Sequence, residues 1–113
     1  VTPEGLRDID RRIAVAKGYE VYLRPGDGHM DWRKPGEQLW HCRASHTDPV
    51  VAMGLLREMV AAGLEPMFPR MGEGYVRHGY PYGINLNRTG SHTAGTLETA
   101  IALAWLAVFE GAE

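Results

Sequence analysis

The chain has 113 residues, of which 44% are hydrophobic and 23% charged, with a formal net charge of −2. This is the make-up of one globular domain spanning residues 1–113 with a core of its own, and it excludes a wholly disordered chain. The acidic balance argues against a long nucleic acid, a lone Cys42 forms no intrachain disulfide and fits a reducing cytosol, and no run reaches the ~18 apolar residues of a membrane span.

A first helix is predicted over residues 2–17. Thr2-Pro3-Glu4 is a start signal, because Pro fits the first helical turn and a carboxylate suits the positive end of the helix dipole. Leu6, Ile9, Ile13 and Ala16 recur at helical spacing and Gly18 ends the run. Tyr19–Arg24 alternates and reads as a strand. From Pro25 to Gln38, Gly, Pro and charged residues surround Trp32, which predicts a long loop, and Leu39–Arg43 is a second strand.

Ser45-His46-Thr47-Asp48-Pro49 opens a second helix through Val50, Val51, Leu55, Met59 and Val60, closed by Ala61-Ala62-Gly63. Pro66 and Pro69 limit Leu64–Met71 to an edge strand or an extended link. Tyr75–His78 and Gly83–Asn87 are read as further strands on either side of a Gly79–Tyr82 loop. The last helix is predicted over Thr93–Glu110, capped by Thr93 or Thr96 and ended by Gly111. Leu97, Ile101, Ala104 and Val108 form one stripe, and Leu103, Leu106 and Phe109 widen it. Such a helix calls for cover on more than one side, from a sheet and from a neighbouring element or a second subunit. The order is helix, two strands, helix, two or three strands, helix: an α+β class with mainly antiparallel pairing.

The Asp8–Ala14 helix, the Ser45-His46-Thr47-Asp48 entry to a helix with Ala52, the aromatic Tyr75 strand and the Thr96–Ala104 helix together resemble the phage ABA-sandwich domain, which includes the NinX-type proteins of lambdoid phages. The match covers most of the chain in order. The resemblance implies a single-domain α/β/α sandwich with a mainly antiparallel sheet of four to five strands and about three helices. It also implies a phage accessory protein working in the host bacterial cytosol, and it transfers no catalytic residue or cofactor. The Pro25–Gln38 and Tyr80-Pro81-Tyr82 loops depart from the pattern by being longer than packing requires.

Two groups of residues could carry chemistry. Asn87–Thr96 reads as the entry to the last helix, where unpaired N–H groups and the dipole favour an anion. Arg88 offers a fork for phosphate, Ser91 and Thr93 offer hydroxyls, and His92 is a further donor. The same residues also suit a plain turn and cap. The second group sets Trp32, Trp40, Tyr75, Tyr80 and Tyr82 beside Arg24, Arg33, Arg43, Arg77 and Arg88, a mixture that can stack a base and pair its phosphates. Read otherwise, Trp40 and Tyr75 are core and the arginines a solvated face.

The candidate ligand-binding residues are therefore Arg88, Ser91, His92, Thr93, Trp32, Arg43, Arg77 and Tyr82. His41, Cys42, His46, His78 and His92 lack metal-ligand spacing, so no metal is expected. Ser91 lacks the Gly-x-Ser-x-Gly elbow, and Asp8 and Asp10 read as solvated charges, so no catalytic residue is assigned. The expected function is a non-enzymatic protein that sequesters a small anionic, nucleotide-derived immune signal and so counteracts host defence. Homo-oligomerisation through the last helix would close loops over the ligand. The alternative is a protein–protein module anchored by Trp32 and the tyrosine loop.

Overall fold

The computed structural model describes residues 2–26, 30–87 and 90–110. The elements in order are α1 (Pro3–Ala16), β1 (Glu20–Leu23), β2 (Met30–Arg33), β3 (His41–Cys42), α2 (Pro49–Ala61), α3 (Glu73–Arg77), β4 (Tyr82–Leu86), β5 (Gly90–Ala94) and α4 (Leu97–Phe109). The class is α+β, with four helices and two small antiparallel sheets among the described residues. Among the described residues no helix is long and apolar enough to cross a membrane.

The long helices begin where local chemistry places them. Thr2 accepts from the Gly5 amide at 3.1 Å, Asp48 from the Val50 amide at 2.8 Å, and Thr96 from the Thr99 amide at 3.2 Å. Pro follows the cap in α1 and α2, where its missing N–H costs nothing. Gly63 closes α2 at φ 86°, with the Leu64 amide donating back to the Met59 carbonyl. The expected end of α4 at Gly111 lies outside the described residues.

The first sheet has the order β1-β2-β3, with Val21 opposite Trp32 and Trp32 opposite His41. The second pairs β4 with β5, Tyr82 opposite Ala94 and Leu86 opposite Gly90. α1 lies against the first sheet and against α4, while α4 also packs on α2 and on both strands of the second sheet. Ala100, Ile101, Ala102, Ala104, Trp105 and Leu106 of α4 are buried against Ile9, Ile13, Ala52, Leu55, Met59, Ile84 and Leu86. The α1, α2 and α4 junction is closed by polar contacts. The Trp105 indole donates to Glu58 at 3.0 Å, Lys17 pairs with Glu58 at 3.1 Å, and Arg12 grips Glu110 with its Nε at 2.6 Å.

Several expectations change. One sheet of four to five strands is replaced by two sheets. β3 is only two residues long, and the open side of β4 is taken by a bridge from Met67, which lies between Pro66 and Pro69 and cannot extend into a ladder. The Pro25–Gln38 stretch is not wholly loop, since β2 lies within it and pairs with β1 as a hairpin. Tyr75 sits in the short α3 rather than in a strand. α4 begins at Leu97, because Gly90–Ala94 pairs with β4 and leaves Thr96, not Thr93, as the cap. The buried face of α4 is covered within its own chain, while Leu97, Leu103, Val108 and Phe109 are only partly buried.

Leu55→Ala should destabilise the protein by about 2–5 kcal/mol, as expected for a cavity in a packed core, whereas Val50→Ala on the same helix, 80% exposed, should change stability by less than about 0.5 kcal/mol. Urea unfolding of the two variants checks the contrast.

Candidate functional site

Between α1, the β2-β3 pair and the link into α2 lies a cavity of about 460 Å³. α1 contributes Leu6, Arg7 and Asp10, β2 contributes Met30 and Trp32, and the link contributes Arg43, Ala44, Ser45 and Thr47. A second cavity of about 300 Å³ shares Trp32 and Arg43 and adds Tyr19, Arg33, Lys34, Glu37 and His41. Trp32 and Arg43 thus form the wall common to both.

That wall is built by stacking. The Tyr19 and Trp32 rings lie 5.4 Å apart between centroids, and the Arg43 guanidinium sits 5.3 Å from the Tyr19 centroid and 5.6 Å from that of Trp32. Cation–π attraction of about 0.5–2 kcal/mol holds the planar group over the rings. Next to it on β2, Arg33 lies 4.2 Å over the ring of Trp40, just before β3, and also bonds Glu20 at 2.7 Å. Trp32 is only 8% exposed, so it is a buried wall and not the loop anchor that its Gly- and Pro-rich surroundings suggested.

The cavity floor is a hydrogen-bonded chain that joins α1, the link and α4. Ser45 Oγ donates to Asp10 Oδ2 at 2.7 Å, while the His46 amide and His46 Nδ1 meet Asp10 Oδ1 at 2.8 and 2.7 Å. On the far side His46 Nε2 lies 3.1 Å from Thr99 Oγ1, which accepts from Thr96 Oγ1 at 3.0 Å. Burial pushes the Asp10 carboxyl up, but the hydrogen bonds from the His46 side chain, the His46 amide and Ser45, together with attraction to His46, outweigh it, so the group lies below its ordinary value.

A Ser, a His and an Asp meet here without forming a hydrolytic triad. Ser45 donates to the carboxylate and not to the imidazole, and the His46 side chain is fully buried. Asp10 is therefore a structural pin and not the solvated charge expected from the sequence. The signal for this pin is the polar Asp10 on the face of α1 that carries Leu6, Ile9 and Ile13, matched by Thr99 inside the apolar α4.

The other proposed ligand residues do not gather at this wall. Ser91, His92 and Thr93 lie on β5, not at a helix entry, and line a separate cavity of about 190 Å³ with Arg70, Met71 and Tyr75. Partial burial pushes the His92 imidazole below its ordinary range. Arg77 is on the exposed face of α3, 3.9 Å from Glu73, and Tyr82 is exposed on β4. Arg88 lies outside the described residues. Among the described residues no three His, Cys, Asp or Glu side chains cluster as metal ligands would.

The chain matches no protein-family model, no curated protein and no solved structure.

Asp10→Asn should cost about 1.5–3 kcal/mol at neutral pH through weakened charge-assisted hydrogen bonds. The folded-state pKa of Asp10 is depressed, so its contribution is full above the ordinary value of 3.8 and is lost as pH falls through the lower folded value. The stability gap between wild type and variant, measured by urea unfolding across pH, should close in acid. A gap that persists unchanged at low pH would contradict the assignment.

Proposed function

We propose that the protein binds a small anionic, nucleotide-derived ligand at the Trp32–Arg43 wall and sequesters it without turning it over. Arg43 carries this reading. Its guanidinium is fixed over Tyr19 and Trp32, and among the described residues it meets no carboxylate, so its charge is left for an anion. The adjoining space of about 460 Å³ falls within the ~300–1,000 Å³ of small-ligand sites. Leu6, Met30 and Trp32 offer apolar cover for a base, with Arg7, Arg43 and the Thr47 hydroxyl on the charged side.

The biological setting belongs to the same proposal. With this reading goes the phage ABA-sandwich relationship that the sequence resemblance implies, and with it a phage accessory protein that removes a host immune signal in the bacterial cytosol. Ser91, His92 and Thr93 would form a second contact region rather than the primary one. The competing reading, a protein–protein module, is favoured by the apolar side chains exposed between residues 67 and 82, namely Met67, Phe68, Tyr75, Val76, Tyr80 and Tyr82.

Thermal unfolding with mono-, di- and cyclic nucleotides and ADP-ribose derivatives separates these readings. A ligand at 100 times its dissociation constant should add about 2.7 kcal/mol to wild type and nothing to Arg43→Ala, and should be recovered unchanged after denaturation. No stabilisation across the panel would favour the protein–protein module; recovery of altered ligand would indicate an enzyme.

A further inference from the structure

Among the described residues no backbone group pairs with the outer edge of β5. Met67 N donates to Asn85 O at 2.8 Å and Asn85 N to Met67 O at 2.7 Å, so both backbone groups of Asn85 point away from β5. Directions alternate along an antiparallel ladder, so Ile84 points at β5 and its partner His92 points back at β4. Ser91 and Thr93, one step to either side, therefore turn their N–H and C=O groups outward. No backbone group among the described residues meets them.

The other sheet edges carry the usual guards against pairing. β1 contains Glu20 and runs into Arg24-Pro25, β3 has two residues, and the open side of β4 is closed by Met67 between two prolines. β5, Gly90-Ser91-His92-Thr93-Ala94, has no proline and no Asp, Glu, Lys or Arg.

The outward groups are complementary to themselves. Antiparallel pairing about a two-fold axis at His92 sets Ser91 opposite Thr93 of the partner subunit and Thr93 opposite Ser91 of the partner subunit. Each pair exchanges two hydrogen bonds, which uses all four outward groups of each strand. A shift of two residues would place one of them opposite a position beyond the strand. We propose that β5 is the seam of a homodimer in which the two second sheets join as one four-stranded antiparallel sheet.

Side chains support the same seam. The cavity of about 190 Å³ over one face of this sheet is lined by Met71, Tyr75, Gly83 and Asn85 of β4 and by Ser91 and Thr93 of the edge strand, and Tyr75 is 56% exposed. The partner strand extends this wall and covers its apolar side. This dimer rests on backbone geometry and does not involve the Trp32–Arg43 wall, so either proposal can fail without the other.

Sedimentation of the whole chain from micromolar to millimolar concentration tests it. The wild type should reach twice its 12.5 kDa mass. Thr93→Pro removes an outward N–H, which an edge strand tolerates, and should return the monomer mass with an unchanged far-UV spectrum. Should that variant not fold, register-specific cross-linking decides. In a Cys42→Ser background, His92→Cys should form an interchain disulfide under mild oxidation, because facing Cα atoms in a non-hydrogen-bonded pair lie ~4.5 Å apart, within the about 4.4–6.8 Å span of disulfides. Ser91→Cys should not. A wild type that stays monomeric, a Thr93→Pro variant that folds and still dimerises, or equal cross-linking at both positions would overturn the proposal.

Discussion

The whole architecture depends on covering α4. Its sequence is apolar on nearly every side, and a helix of that kind is stable in water only when surrounded. α1, α2 and the second sheet surround it, and its alanines at 100, 102 and 104 are buried, small enough to let those neighbours approach closely. Each fully buried large aliphatic side chain contributes about 1.5–3 kcal/mol, so the Ile9, Ile13, Leu55, Met59 and Ile84 layer around the helix outweighs any single surface ion pair.

One polar chain crosses this apolar interior. Thr99 on α4, His46 at the entry to α2 and Asp10 on α1 satisfy one another, and among the described residues no buried side-chain nitrogen or oxygen lacks a partner. Leaving such a group unpaired would cost about 1–3 kcal/mol, more when it is charged, which is why the three elements meet in one relative position. Arg43 lies two residues before Ser45, itself bonded to Asp10. The core thus sets the path of the segment that carries Arg43 to Trp32, and the geometry of the ligand wall follows from the cover of α4.

What the sequence revealed depended on whether the signal was local. α1 and α2 were legible because cap, proline and apolar period all lie within one stretch, and the antiparallel character followed from short connections. The start of α4 was not, because Thr93 and Thr96 are equally good caps until the ladder with β4 claims residues 90–94. Trp32 was noticed, but its burial depends on Tyr19 and Arg43 arriving from either side, and β2 has four residues with Gly- and Pro-rich flanks. Asp10 reads as a solvated charge for a related reason: its partners at positions 46 and 99 are brought to it only by the packing of three helical elements. Trp40 and Tyr75, equally aromatic, are exposed, so ring chemistry alone did not decide burial.

The central claim, that the Trp32–Arg43 wall receives an anionic ligand, is tested most directly by following the indole N–H signals of Trp32, Trp40 and Trp105 by NMR during titration with the nucleotide panel. Trp105 serves as the internal control, since its indole is engaged by Glu58 in the helical core. Binding at the proposed wall predicts a saturable shift of the Trp32 signal with Trp105 unmoved, abolished in Arg43→Ala. A saturable ligand that leaves Trp32 unmoved, or a panel that moves no indole signal, would contradict the account.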